Sequence, residues 1–144
     1  VKKILELASK LETFQNRIPE LINEIVRDNE EIVLDMNTEE QLFEKGIDRN
    51  NEQLSAREPY TPFTLSIKQQ KGQPTSRVTL RDSGDFQRSF FISYRSDGFE
   101  IRASDWKFGD LVDRFGPIMG LTDENLQDLL RNYILPDLLK ELKS

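Results

Sequence analysis

Apolar residues recur three or four positions apart from the start of the chain. Ile4, Leu7, Leu11, Phe14, Ile18, Leu21, Ile25 and Ile32 follow this spacing, with charged residues between them. A repeat near 3.6 returns these positions to one side of a helix, so the pattern predicts amphipathic helices. Pro19 interrupts it. Proline has no N–H to donate and is best accommodated in a first helical turn. Pro19 either kinks one long helix or opens a second; the favoured reading is a short helix from about Lys2 to Asn16 and a longer one from Pro19 to about Phe43, with Gly46 as the stop. Asp35-Met36-Asn37 is a weak point in the second helix, and Thr38 ahead of Glu39-Glu40-Gln41 is placed to cap a fresh turn.

Periodicity lapses between Gly46 and Pro62. Asp48-Arg49-Asn50-Asn51 is a turn cluster, and Pro59 and Pro62 forbid a regular helix between them. This predicts an extended loop pinned by Leu54, Tyr60 and Phe63, then a short helix through Leu65 to Gln70 ended by Gly72. Asp82 or Ser83 can cap another short helix, Gly84 suits a tight turn, and Asp85 opposes the helix dipole in the first turn. Phe86 and Phe90 share a face. Phe90–Tyr94 and Phe99–Ala103, joined by Ser96-Asp97-Gly98, read as a hairpin. Two strands alone are marginal, so the hairpin must pack on helices or pair with another chain. A helix from Asp105-Trp106 runs through Leu111, Val112 and Phe115 to Gly116-Pro117. Thr122 caps the last helix, whose apolar face is Leu126, Leu129, Leu130, Tyr133, Ile134 and Leu138, and Pro136 predicts a bend. The expected fold is α+β: N-terminal helices, a small antiparallel sheet containing a central hairpin, and a C-terminal helix. Residues 1–45 form a helical region that packs on or projects from the core, and residues 46–144 form the α+β domain.

Composition narrows the chemistry. The 144 residues carry 20 Lys and Arg against 26 Asp and Glu, a formal charge of −6. That balance opposes nonspecific nucleic-acid binding, which needs clustered cations to neutralise phosphates. No apolar run approaches a membrane span, and charge follows Val1 at once, so no secretory leader opens the sequence. The absence of cysteine and histidine removes disulfides, thiolate chemistry, histidine-based triads and nearly all zinc sites. No catalytic residue, metal ligand or cofactor site is assigned.

Carboxylate chemistry remains open. Asp82 and Asp85, three apart, suit either capping and surface roles or a shared divalent ion. Lys68, Lys71, Arg77 and Arg81 make the one clearly basic stretch. Its loop, Lys71–Arg77, lacks phosphate-loop spacing and reads as a connection that orders against an acidic partner. Trp106, Phe108 and Phe115, with Arg114 at their rim, form either an interface anchor or a local core. Leu7, Leu11 and Phe14 offer a second apolar surface, for the core or for a partner.

The order of features resembles the virion-morphogenesis, or tail-completion, family of tailed bacteriophages. Its members show Leu-x-x-(Thr/Ser)-Gly-x-Leu-x-x-Ser before their strands; here Leu80, Ser83, Gly84, Phe86 and Ser89 occupy that motif, with Phe86 in place of a small aliphatic residue. A Phe-Gly pair is matched by Phe115 and Gly116. The Gly-Leu-Ser/Thr-x-x-(Asp/Asn) start of the last helix is matched by Gly120, Leu121, Thr122 and Asn125. Where the family usually places Tyr-Ala and often a histidine, this chain has Trp106-Lys107-Phe108-Gly109. The resemblance spans roughly residues 40–140. It implies a structural subunit at the head–tail connector, neck or tail end of a virion, joined to copies of itself, often as a ring, and to neighbouring neck or tail proteins. It implies no catalysis, no membrane and no specific nucleic-acid binding, although DNA can pass through such an assembly. Two other classes stay open on the residues alone: a small host or phage regulatory module that grips a protein, and a divalent-ion carboxylate enzyme at Asp82 and Asp85.

Overall fold

The computed structural model describes all 144 residues, Val1–Ser144. One helix, α1 (Lys2–Asp28), replaces the two expected around Pro19. The lost N–H of Pro19 frees only the carbonyl of Gln15. Both residues are exposed, so water satisfies it while the apolar stripe runs on unbroken. The break falls at Asn29, whose φ of −122° and ψ of 26° leave the helix and whose side chain donates to the Ile25 carbonyl. A short α2 (Glu30–Asp35) follows and passes into a π-helical stretch, Met36–Lys45. The weak point at Asp35-Met36-Asn37 is thus a change of helical register. Thr38 does not cap a turn there; it is buried and donates to the Leu34 carbonyl. Gly46, left-handed at φ 62°, ends the stretch as expected.

The connection from Gly46 is anchored by buried Leu54 and by Tyr60, whose hydroxyl accepts the Thr79 N–H at 3.0 Å. Phe63 is exposed and pins nothing. Thr61 caps α3 (Pro62–Gln70) by accepting the Thr64 N–H. A single turn, α4 (Asp85–Arg88), leads into β1 (Phe90–Arg95) and β2 (Gly98–Ala103). These pair antiparallel, Phe90 opposite Ala103 and Arg95 opposite Gly98. The loop is therefore Ser96-Asp97 alone, and Gly98 opens the return strand. The sheet has only these two strands.

Short α5 (Phe108–Phe115) starts later than expected, because Asp105 caps the turn before it by accepting the Lys107 N–H. Helix α6 (Asp123–Leu129), capped by Thr122, passes through a π turn at Leu130–Ile134 into α7 (Leu135–Lys143). Pro136 explains that turn. It cannot donate four residues back, and the Leu135 N–H bonds instead to Leu130, five residues back.

One hydrophobic cluster joins these parts. Ile25, Val26, Val33 and Leu42 from the first helices meet Phe86, Phe90, Ile92 and Ile101 around the hairpin and Phe115, Ile118, Leu129 and Ile134 from the last third. The fold is α+β, with N-terminal helices, a two-stranded antiparallel hairpin and C-terminal helices.

Candidate interaction site

The stripe on α1 has two different halves. Leu21 and Ile25 are buried, and Phe14 and Ile18 are half-buried. Towards the start the same face runs off the core: Leu11 is 46% exposed, Leu7 58% and Ile4 71%. Phe14 borders a crevice shared with Leu142 near the end of α7, so α7 partly covers this residue. Leu7 and Leu11 keep the period of a buried face with too little of the chain to cover them.

The motif segment is a folded junction. Leu80 takes a left-handed φ of 57°, sparsely allowed for a branched residue. Gly84, at φ 88°, rather than Asp82 or Ser83, caps α4. The Ser83 hydroxyl oxygen accepts the Asp85 N–H one step outside. Phe86 is buried edge-on against Phe90, centroids 5.1 Å apart. The Ser89 hydroxyl donates to the Phe86 carbonyl at 2.7 Å and accepts the Asp105 N–H at 3.1 Å, tying α4 to the end of the hairpin. Asp82 accepts from Lys71 at 2.8 Å, and Asp85 pairs with Arg88. Both carboxyls are held below the usual range, Asp82 chiefly by Lys71 and Asp85 by Ser83 and Arg88. No group of three or more acids gathers to hold a metal ion.

Of the other two motif stretches, Phe115-Gly116 lies against Arg57 and the one from Gly120 meets the π segment. Gly116, at φ 78°, lies where a Cβ would stand 2.8 Å from the Arg57 guanidinium. The Gly120 N–H donates to Asn37, and the Gly120 carbonyl accepts from Gln41. The Gln41 oxygen also accepts the Thr122 N–H and an Asn125 amide N–H, each at 2.9 Å. Asn37 donates to the Ile118 carbonyl at 2.9 Å. This buried amide latch fixes residues 118–125 on the first helices. Sequence reasoning missed Asn37 and Gln41; the signal was two amides four apart, interrupting an apolar helical face.

The basic stretch is folded inward. Lys68 is buried, donating to the Arg81 carbonyl at 3.1 Å, with its ammonium 4.9 Å from the Tyr60 ring centre. Arg77 donates to the Phe43 carbonyl at 2.7 Å, and Arg81 pairs with Glu39 at 2.5 Å while stacking over the Phe43 ring. Lys71 holds Asp82. All four cations are engaged within the chain.

The aromatic group divides. Phe115 is core and Phe108 packs against it, whereas Trp106 is 85% exposed. Arg114 grips Glu58 with two nitrogens, at 2.5 and 2.9 Å, and also reaches Asp110. That pairing holds the Glu58 carboxyl below its ordinary range and pushes the Arg114 guanidinium up.

Two clefts flank the junction. One, about 270 Å³, has apolar walls including Leu80, Phe86 and Leu111, with Lys68 and Lys107 among its lining. The other, about 680 Å³, lies between α2, the π segment and α4, and is acidic, with Glu31, Asp35 and Glu39 in its lining. Asp35 is raised above the ordinary carboxyl range by burial and by the like charges of Glu31 and Glu39.

Comparison with protein-family models, curated proteins and solved structures gave no match. No helix is long and apolar enough to cross a membrane.

Proposed function

We propose that this chain is a non-enzymatic structural subunit of a bacteriophage head–tail connector, neck or tail-completion complex, working in the virion through contacts with copies of itself and with neighbouring neck or tail proteins. The virion setting rests on the motif residues Leu80, Ser83, Gly84, Phe86, Ser89, Gly116, Gly120 and Thr122. The assembly role rests on one observation: the α1 stripe continues a buried face into solvent at Ile4, Leu7 and Leu11. Exposed contiguous apolar surface marks a site that another molecule covers. Exposed Trp106 adds an aromatic suited to anchor a neighbour. The acidic surface guides docking and partner choice rather than gripping DNA.

Mass measurement of the purified chain with electron microscopy tests this reading. The expected result is a closed oligomer with an axial channel. A monomer or simple dimer at the highest attainable concentration contradicts it and favours the regulatory module, which would use the same α1 face on a different protein.

A further inference from the structure

The acidic cleft and the start of α1 are complementary in charge. Six charged side chains line the cleft: Glu30, Glu31, Asp35, Glu39, Arg81 and Arg88. Arg81 is held by Glu39, and Arg88 by Asp85, which lies outside the lining. Glu30 accepts the Tyr94 hydroxyl. No ion pair reaches Glu31 or Asp35. Gln87 also lines this cleft and is only 7% exposed. Its amide nitrogen serves the Thr79 and Leu80 carbonyls, and its Oε1 has no donor. Uncompensated carboxylates beside an unpartnered buried acceptor suit an ammonium group.

Residues 2–17 supply such groups. They carry four cations, Lys2, Lys3, Lys10 and Arg17, against Glu6 and Glu12, a local charge of +2 on a chain of −6. Lys2 and Lys3 make no ion pair. The same turns hold exposed Ile4, Leu7 and Leu11. Within one molecule the rigid helix keeps these turns from folding back. Lys2 stands roughly 35 Å along the axis from buried Ile25, at about 1.5 Å per residue, and α1 is continuous between them.

We propose that the first turns of α1 in one copy seat in the acidic cleft of the next copy, their lysines facing Glu31 and Asp35 and their apolar stripe covered by the neighbour. This rests on the assembly reading above and names its contact. Helix and cleft are different surfaces, so the contact is head-to-tail, the kind that propagates and closes into a ring when the rotation allows.

Two charge-reversed forms of the full chain test it by native mass spectrometry. One carries Lys2→Glu and Lys3→Glu; the other carries Glu31→Lys and Asp35→Lys. All four positions are exposed, and a milder pair, Glu31→Gln with Asp35→Asn, guards against misfolding, with circular dichroism as the check. The wild type is expected to form oligomers that weaken as salt is added. Each reversed form alone is expected to be monomeric. Their equal mixture is expected to regain assembly with the two forms alternating, because the intact helix of the second form fits the intact cleft of the first and the reversed helix of the first fits the reversed cleft of the second. A chain carrying all four reversals should regain wild-type assembly. The milder pair should weaken association at least tenfold. Reversed forms that assemble like the wild type overturn this docking mode and leave the assembly reading standing. A wild type that is monomeric throughout overturns both, and a mixture that stays monomeric overturns the head-to-tail contact.

Discussion

Gly84 shows how one residue sets the junction. Its φ of 88° suits glycine, and an added Cβ would stand 2.8 Å from an Arg88 guanidinium nitrogen. The guanidinium can move aside, so the backbone sets the cost. Gly84→Ala is expected to destabilise the fold by about 1–2 kcal/mol, read as a lower urea midpoint with an unchanged slope. The acids give opposite signs. Glu58, Asp82 and Asp85 have folded pKa values below their ordinary values of 4.5, 3.8 and 3.8. Their contribution to stability is complete above those values and is lost as pH falls through the lowered ones. Asp35 runs the other way. Its raised pKa means that its charge opposes folding at neutral pH, and the penalty disappears as pH falls through the raised value. Asp35→Asn should therefore stabilise the fold at neutral pH, by about 0.2–0.5 kcal/mol for each relieved i,i+4 like-charge pair, while weakening assembly. Equilibrium unfolding and mass measurement on one preparation would reveal that opposition.

At the scale of elements, the amide latch is the most tightly specified feature. Gln41→Ala would leave the Gly120 carbonyl, the Thr122 N–H and an Asn125 amide without their partner. Buried groups left unpaired cost about 1–3 kcal/mol each, so a loss of about 3 kcal/mol or more is expected, with faster hydrogen exchange at the Thr122 amide, whose partner is Gln41. This latch was hidden in the sequence because its partners are about 80 positions apart and mostly backbone atoms. Local signals were read more fully. The Thr122 cap, the Gly46 stop and the hairpin each depend on chemistry within a few residues. The favoured division at Pro19 fails because the proline removes a single donor there. Solvent exposure makes that loss tolerable, whereas Asn29, with no proline near it, ends the helix. Neither π stretch has a periodicity that apolar spacing would reveal.

At the scale of the whole molecule, the interior and the α1 face follow different rules. The core draws on both ends of the chain, while the first turns of α1 extend its pattern with too little of the chain to cover them. The candidate surface was legible at Leu7, Leu11 and Phe14 because the period continues there. Only the fold separated Phe14, sheltered by α7, from the two exposed leucines, and buried Phe115 from exposed Trp106. Trp106→Ala is expected to weaken assembly and leave the melting temperature nearly unchanged, as surface substitutions away from special features shift stability within about 0.5 kcal/mol. The most direct test is multi-angle light scattering of the wild type beside a Leu7→Asp, Leu11→Asp double variant, both checked for the same thermal melt. The account predicts an assembled wild type and a folded, monomeric variant; equal masses for the two would contradict it.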